Sequence, residues 1–298
     1  MWGYIAARTL NIPNICFVTT FVMEGSMGTL GVGGVVDFIR SALPHARTLM
    51  RWRRSMAEEF GSDVAGGITE FADLNIVFTS REFQPASKQI DDRFRFVGPS
   101  IDPATRDGDF PYELLTDGMK VYLSLGTVNN LDTDFYRTAF TAFADYPAQF
   151  ILSAGNNTSL AKLGDIPANF VVRNYVPQLE ILQRVDAFVT HGGMNSVHEG
   201  LYYGVPEVVV PHHTEQLLNG KRVAQTEVGI LLGERRPYGH VTAPELRAAV
   251  DSVLTDPLYH ANAARMGQTL RDAGGYTQAV SEIEKYLENI NAPALMPG

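Results

Sequence analysis

A single cysteine, Cys16, is all that the 298 residues hold, so no disulfide can form within the chain and multi-cysteine metal sites are excluded. Long apolar runs are missing as well. A stretch of about eighteen apolar residues, enough for a helix to span a bilayer, occurs nowhere. Positive charge is scarce: 24 lysines and arginines stand against 33 aspartates and glutamates, a formal net charge of −9. Wrapping a nucleic acid or lying on anionic lipid would set this acidic chain against a polyanion. Any phosphate it binds must be held locally, by backbone dipoles and a few placed side chains. No basic leader followed by an apolar core and a small-residue cleavage site opens the sequence, so no signal peptide is expected, and a reducing cytoplasm is the expected compartment. Internal repeats and low-complexity segments are also lacking.

What is present fits a globular protein with room for two domains. Hydrophobic residues make up 45% and charged residues 19%, with ample material for cores. Trp2, Ile5, Ala6, Ala7 and Leu10 recur at helical spacing. The run Ile15-Cys16-Phe17-Val18-Thr19-Thr20-Phe21 reads as a buried strand. A glycine-rich passage then leads to helical pattern as far as about Phe60, and short strands are expected at 74–79 and 94–97. From Pro99 to Asp117 the sequence is rich in proline and aspartate and has no periodicity, which predicts a connection between domains. The expected division is 1–110, a connection at 111–119, and 120–298.

From Lys120 onward short apolar strands alternate with helical segments. Strands are expected at 121–125, 150–153, 170–175, 187–190 and 208–210, with helices at 135–143, 179–185, 195–203 and 215–227. Helical pattern continues from Pro244 to about Ile290. The alternation predicts a parallel sheet covered on both faces, with ligands bound at the carboxyl ends of its strands.

The chemistry-bearing residues fall at those strand ends. Thr190-His191-Gly192-Gly193-Met194-Asn195-Ser196 lies between a strand and a helix. Paired glycines let the backbone turn tightly, and a helix N-terminus offers free N–H groups and a positive dipole end. That combination suits a diphosphate, with His191, Gly193, Asn195 and Ser196 as its contacts. Glu199, one turn beyond Asn195, could accept from ribose hydroxyls. Glu215 and Gln216 pair an acceptor with an amide where the strand at 208–210 gives way to a helix, a position suited to sugar hydroxyls. Ser124, Gly126 and Thr127 end the strand at 121–125 beside a phosphate or sugar. Tyr175, Val176 and Gln178 offer an aromatic face and an amide for a base. The plainer alternatives are helix caps for Asn195 and Ser196, a strand-end histidine for His191, and a solvated glutamate for Glu199.

The run Tyr175 through Gln216 resembles the donor-binding signature of the UDP-glycosyltransferases, an inverting family that includes the bacterial macrolide glycosyltransferases. The resemblance implies a GT-B-like α/β fold: two Rossmann-like parallel-sheet domains, the N-terminal one here incomplete. It implies that Tyr175, Pro177 and Gln178 hold uracil and ribose, with tyrosine where the family has tryptophan, and that His191 meets the α-phosphate. Asn195 and Ser196 would then lie near the β-phosphate, Glu199 on the ribose, and Glu215-Gln216 on the donor sugar. A UDP-sugar is the implied donor, a small hydrophobic molecule the acceptor, and no metal or other cofactor is implied. The triplet Asp132-Thr133-Asp134, a manganese motif in another glycosyltransferase fold, is read here as a helix cap.

The family's catalytic histidine and its aspartate partner have no counterpart in the sequence, so catalytic residues are left unassigned. The expectation is an N-terminally shortened acceptor domain whose strand at 15–21 presents an open edge, a route to a homo-oligomer. Transfer of a hexose from a UDP-sugar to a hydroxyl is the leading expectation. A non-catalytic UDP-sugar-binding protein and a UDP-sugar 2-epimerase are the alternatives.

Overall fold

The computed structural model describes residues 2–23, 43–60, 71–102, 110–126, 132–235 and 238–291. They form two compact units, Met1–Thr79 with Gln84–Val97 and Tyr276–Gly298, and Ser80–Phe83 with Gly98–Gly275.

In the first unit, helix α1 (Trp2–Leu10) precedes strand β1 (Ile15–Val18), and helix α2 (Ala46–Phe60) precedes strands β2 (Leu74–Val77) and β3 (Phe94–Phe96). The three strands are parallel in the order β1-β2-β3. Among the described residues β1 is therefore an edge strand, and Phe17 on it is 58% exposed. The last helix, α9 (Gly275–Asn291), returns to this sheet. Ala279, Ile283 and Tyr286, spaced along one helical face, pack on Leu74, Ile76 and Val97. Arg95 on β3 donates to Glu282 at 2.9 Å. The contacts thus draw a different division from the one expected, because the end of the chain joins the first sheet instead of the second.

The second unit carries six parallel strands, β4 (Lys120–Ser124), β5 (Gln149–Ser153), β6 (Phe170–Arg173), β7 (Ala187–Thr190), β8 (Glu207–Val209) and β9 (Gly229–Leu231). Their order is β6-β5-β4-β7-β8-β9. Counted within the unit this is 3-2-1-4-5-6, the doubly wound order whose ligand crevice opens between the first and fourth strands. Here those strands are β4 and β7, paired so that Ser124 lies opposite Thr190. Helices α3 (Thr133–Phe143) and α4 (Gln178–Leu182) come first. They are followed by α5 (Met194–Tyr202), α6 (Thr214–Gln225), α7 (Ala243–Thr255) and α8 (Pro257–Asp272).

Strand alternation explains why both faces need cover. Val121 and Leu123 point to one face, where Phe135, Phe143, Leu246 and Val250 bury them. Tyr122, Ile151, Val171 and Phe188 point to the other, under Val176, Ile181 and Leu182. Stacked rings stiffen both layers: Phe143, Phe150 and Phe170 at 4.4 and 4.9 Å on one, Tyr122 and Phe188 at 5.0 Å on the other. Asp132 caps α3, its carboxylate accepting from Phe135 N–H at 2.9 Å, the role read for it in the sequence. Phe110 and Tyr112, expected in a connection, pack into the second core. Strand β9 was not expected at all. Among the described residues no helix is long and apolar enough to cross a membrane.

Candidate functional site

The site is built where β7 hands over to α5. Gly192 takes φ +83°, and a Cβ there would meet Val209 Cγ1 at 2.6 Å. Gly193 is needed for a different reason. Its φ is ordinary, but a Cβ would lie 2.5 Å from His191 Nε2. Across the crevice Gly126 has φ +75°, and a Cβ there would lie 2.5 Å from His191 Cε1. The imidazole is thus seated between two bare backbones, one from each side of the switch point.

Gly193 is also the N-cap of α5, and it has no side chain with which to cap. The first intrahelical bond belongs to Val197, whose N–H donates to Gly193 O at 3.0 Å. The N–H groups of the preceding turn are therefore left for a ligand, at the positive end of the helix dipole. Asn195 is exposed and Ser196 half-buried, and neither supplies a cap. Their plainer reading, as capping residues, is the one the structure contradicts.

His191 is largely enclosed, and its Nδ1 has no hydrogen-bond partner. Burial above all, then His212 and His213, pulls its pKa down to about 4, while the Ser124 backbone acts weakly in the opposite sense. At neutral pH the ring is uncharged and presents one N–H donor.

Around this centre the expected residues arrange themselves unequally. Ser124 is buried at the end of β4, and its Oγ accepts from Gly126 N–H at 3.3 Å. Thr127 lies outside the described residues. Tyr175 is 50% exposed beside buried Val176, offering a free aromatic face. Gln178 is the hinge of a chain of hydrogen bonds: Tyr122 donates to its Oε1 at 3.2 Å, and its amide donates to Glu199 at 2.6 Å. Glu199 is not a solvated helix residue, since only 3% of it is exposed. Gln178 and Glu199, 21 positions apart, are brought together as one polar group.

Glu215 is exposed and receives Asn219 Nδ2 at 3.0 Å, and the same amide reaches Gly192 O at 2.8 Å. Gln216 is buried, and its Oε1 accepts from His212 N–H at 2.8 Å. The two were expected to face a sugar as a pair, but only Glu215 stands at the surface. Tyr122 and Asn219 were not foreseen. Asn219 had a readable signal, lying one turn beyond Glu215; Tyr122 had none, being one apolar-flanked residue of a core strand. Among the described residues no three His, Cys, Asp or Glu side chains are grouped to hold a metal ion.

Comparison with known proteins accounts for this arrangement. Residues 138–284 match the family described as "Erythromycin biosynthesis protein CIII-like, C-terminal domain". The chain is 33% identical over 284 residues to the uncharacterised UDP-glucosyltransferase YojK of Bacillus subtilis, covering 94% of this chain and 69% of that protein. The chain belongs to the UDP-glycosyltransferase family. A second relative of this glycosyltransferase is the demethyllactenocin mycarosyltransferase of Streptomyces fradiae, 34% identical over 75% of the chain and 48% of that protein. Among solved structures, the kitacinnamycin glycosyltransferase superposes with a TM-score of 0.80 at 29% identity, over 94% of this chain and 72% of that one. The GT-B fold and the macrolide-glycosyltransferase type of this enzyme follow. The glycosyltransferase chain is thus shorter than these relatives.

Proposed function

We propose that this glycosyltransferase moves a hexose, glucose by preference, from UDP to a hydroxyl of a small hydrophobic natural product, with inversion and without a metal. One observation carries the reading: an enclosed, uncharged imidazole with an unpartnered nitrogen sits beside an uncapped helix N-terminus at the sheet's switch point.

In this reading the diphosphate rests on the N–H groups opening α5, with His191 at the α-phosphate and Asn195 and Ser196 near the β-phosphate. Ser124 and Gly126 line the facing strand end. Tyr175 covers the base with Val176 beneath it, and the Gln178–Glu199 pair holds the ribose hydroxyls. Glu215 reads the sugar from the surface, with Gln216 shaping the loop behind it. The acceptor oxygen attacks the anomeric carbon as the bond from that carbon to the β-phosphate oxygen breaks. UDP departs with the electron pair, and the acceptor's proton passes to a base. The helix dipole and His191 meet the charge growing on the leaving diphosphate, the point where preorganised donors contribute most. Relatives named for glucosyl transfer favour an enzyme over a passive UDP-sugar-binding protein.

The test is UDP release and acceptor mass after incubation with UDP-glucose, and in parallel dTDP-glucose, over a panel of polyhydroxylated aromatics and macrolides. Transfer of a hexose from UDP-glucose supports the reading. Tight UDP-glucose binding with no product on any acceptor would favour the passive alternative.

A further inference from the structure

A second imidazole, His212, lies close to His191. Strands β7 and β8 are neighbours, and Val210 N–H donates to Thr190 O at 2.8 Å, so the two chains leave the sheet side by side, about 5 Å apart. His191 is the next residue on one, and His212 lies two residues on along the other. The side chain of His212 is only 14% exposed. Its Nε2 is fully enclosed without a hydrogen-bond partner, and its Nδ1 faces the Asp132 carboxylate at 3.9 Å. Gly239 packs on the Nδ1 edge with φ +85°, where a Cβ would approach to 2.9 Å. The ring's own backbone N–H is fixed by Gln216. An imidazole is rarely buried with a nitrogen unmet, and two such nitrogens end adjacent strands here.

We infer that His212, steered by Asp132, is a second imidazole of the diphosphate site and holds the phosphate next to the one that His191 meets. The inference rests on the proposed nucleotide-sugar site and adds a residue to it. His212 is a binding residue in this account and Asp132 a positioning residue.

The tautomer logic gives the pair a signature. A neutral ring that points its one N–H at Asp132 offers the other nitrogen only as an acceptor, which repels a phosphate. Holding carboxylate and phosphate at once requires the imidazolium, so binding of the diphosphate takes up a proton. The groups acting on His212 are Asp132, at the start of α3, which favours the charged ring, and His213, the N-cap of α6, which opposes it. His191, at the end of β7, feels His212 in turn. Burial outweighs Asp132 and keeps the His212 pKa below its ordinary value in the free chain, so the proton arrives with the ligand.

The experiment is calorimetric titration of UMP and UDP into the full chain, its His212→Gln and Asp132→Asn variants, and His191→Ala, at pH 7 in two buffers of different ionisation heat. Asparagine still caps α3, so Asp132→Asn keeps the fold if His212→Gln does not. UDP affinity should fall about tenfold in His212→Gln, as for a lost charge-assisted bond, and less in Asp132→Asn. UMP affinity and the fold should be unchanged in both. Proton uptake with UDP should vanish in His212→Gln, while His191→Ala should weaken both nucleotides. Equal loss of UMP and UDP in the two variants, or UDP binding that neither variant disturbs, would overturn the inference. Wild-type binding of UDP no tighter than UMP would overturn it too, leaving the His191 site standing. Wild-type binding of neither would remove the site itself.

Discussion

The two ends of the six-stranded sheet have similar polar inventories and use them differently. At the amino ends of the strands the groups are spent on one another. Lys120 N–H donates to Asp186 at 2.8 Å, and Gln149 bridges Thr116 N–H at 2.9 Å and Leu114 O at 2.7 Å. Tyr146 donates to Asp251 at 3.0 Å, and one Asn169 amide serves three carbonyls. At that end Asn169 Oδ1 and both carboxylate oxygens of Glu207, the first residue of β8, are left without partners among the described residues. At the carboxyl ends a glycine replaces a capping side chain, and His191 and His212 each keep an enclosed nitrogen unmet. Polar groups satisfied internally hold the sheet together; of those left unmet, at a cost of about 1–3 kcal/mol each, the His191 nitrogen lies beside the uncapped start of α5, where a ligand can complete it.

The sharpest way to break this contrast is at His191. Its replacement by alanine should cost about 1.5–3 kcal/mol of UDP affinity, roughly ten- to a hundredfold, with little change in thermal stability. Asp186→Ala at the opposite end should do the reverse, lowering stability by about 1 kcal/mol in a urea melt while UDP titration stays unchanged. A pair of glycine changes separates strain from site geometry. Gly126→Ala meets both a left-handed φ and the His191 ring, whereas Gly164→Ala, at φ +84° with nothing within 4 Å, meets the strain alone. Gly164→Ala should lose about 1–2 kcal/mol of stability and keep UDP binding, whereas Gly126→Ala should lose more and lose UDP binding as well.

Acid sensitivity provides a further comparison. His198, buried edge-on to Phe83, is brought by desolvation to about 3. Its folded pKa lies below the unfolded 6.5, so the unfolded chain takes up the proton first and stability falls as pH drops from 6.5 toward 3. The slope from this residue is about 1.4 kcal/mol per pH unit. His198→Leu should flatten it in melts between pH 6.5 and 4.5. Glu207 works in the opposite direction. Buried on β8 with both oxygens unpartnered, it is held well above the ordinary 4.5. Above 4.5 the unfolded carboxyl ionises first, and stability declines with rising pH until the folded group ionises too. Glu207→Gln should remove that decline.

How much of this was readable in the sequence varies with the distance over which each feature is set. The strand-turn-helix at Ala187–Tyr202 depends on neighbours, and its strand, glycine turn and helix all fall where periodicity and composition place them. Asp132 as a cap was legible for the same reason. The short strand Gly229–Leu231 was not, since three residues after a long helical pattern carry no period of their own. Gln178 with Glu199 and Asp132 with His212 are brought together by sheet order, which spacing does not encode. Gln216 read as a sugar ligand by residue type, yet burial and the His212 N–H claim its carbonyl. The return of α9 to the first sheet joins Ala279 to Leu74 across most of the chain, and nothing local in either segment announces it.

The central claim is that the uncapped start of α5, with His191, holds a nucleotide diphosphate. Calorimetric titration of UDP into the purified chain beside His191→Ala tests it most directly. Saturable binding by the wild type, weakened at least tenfold in the variant while its melting temperature is kept, is the predicted result. A folded wild-type chain that shows no binding, or a variant that binds UDP as tightly as the wild type, would contradict it.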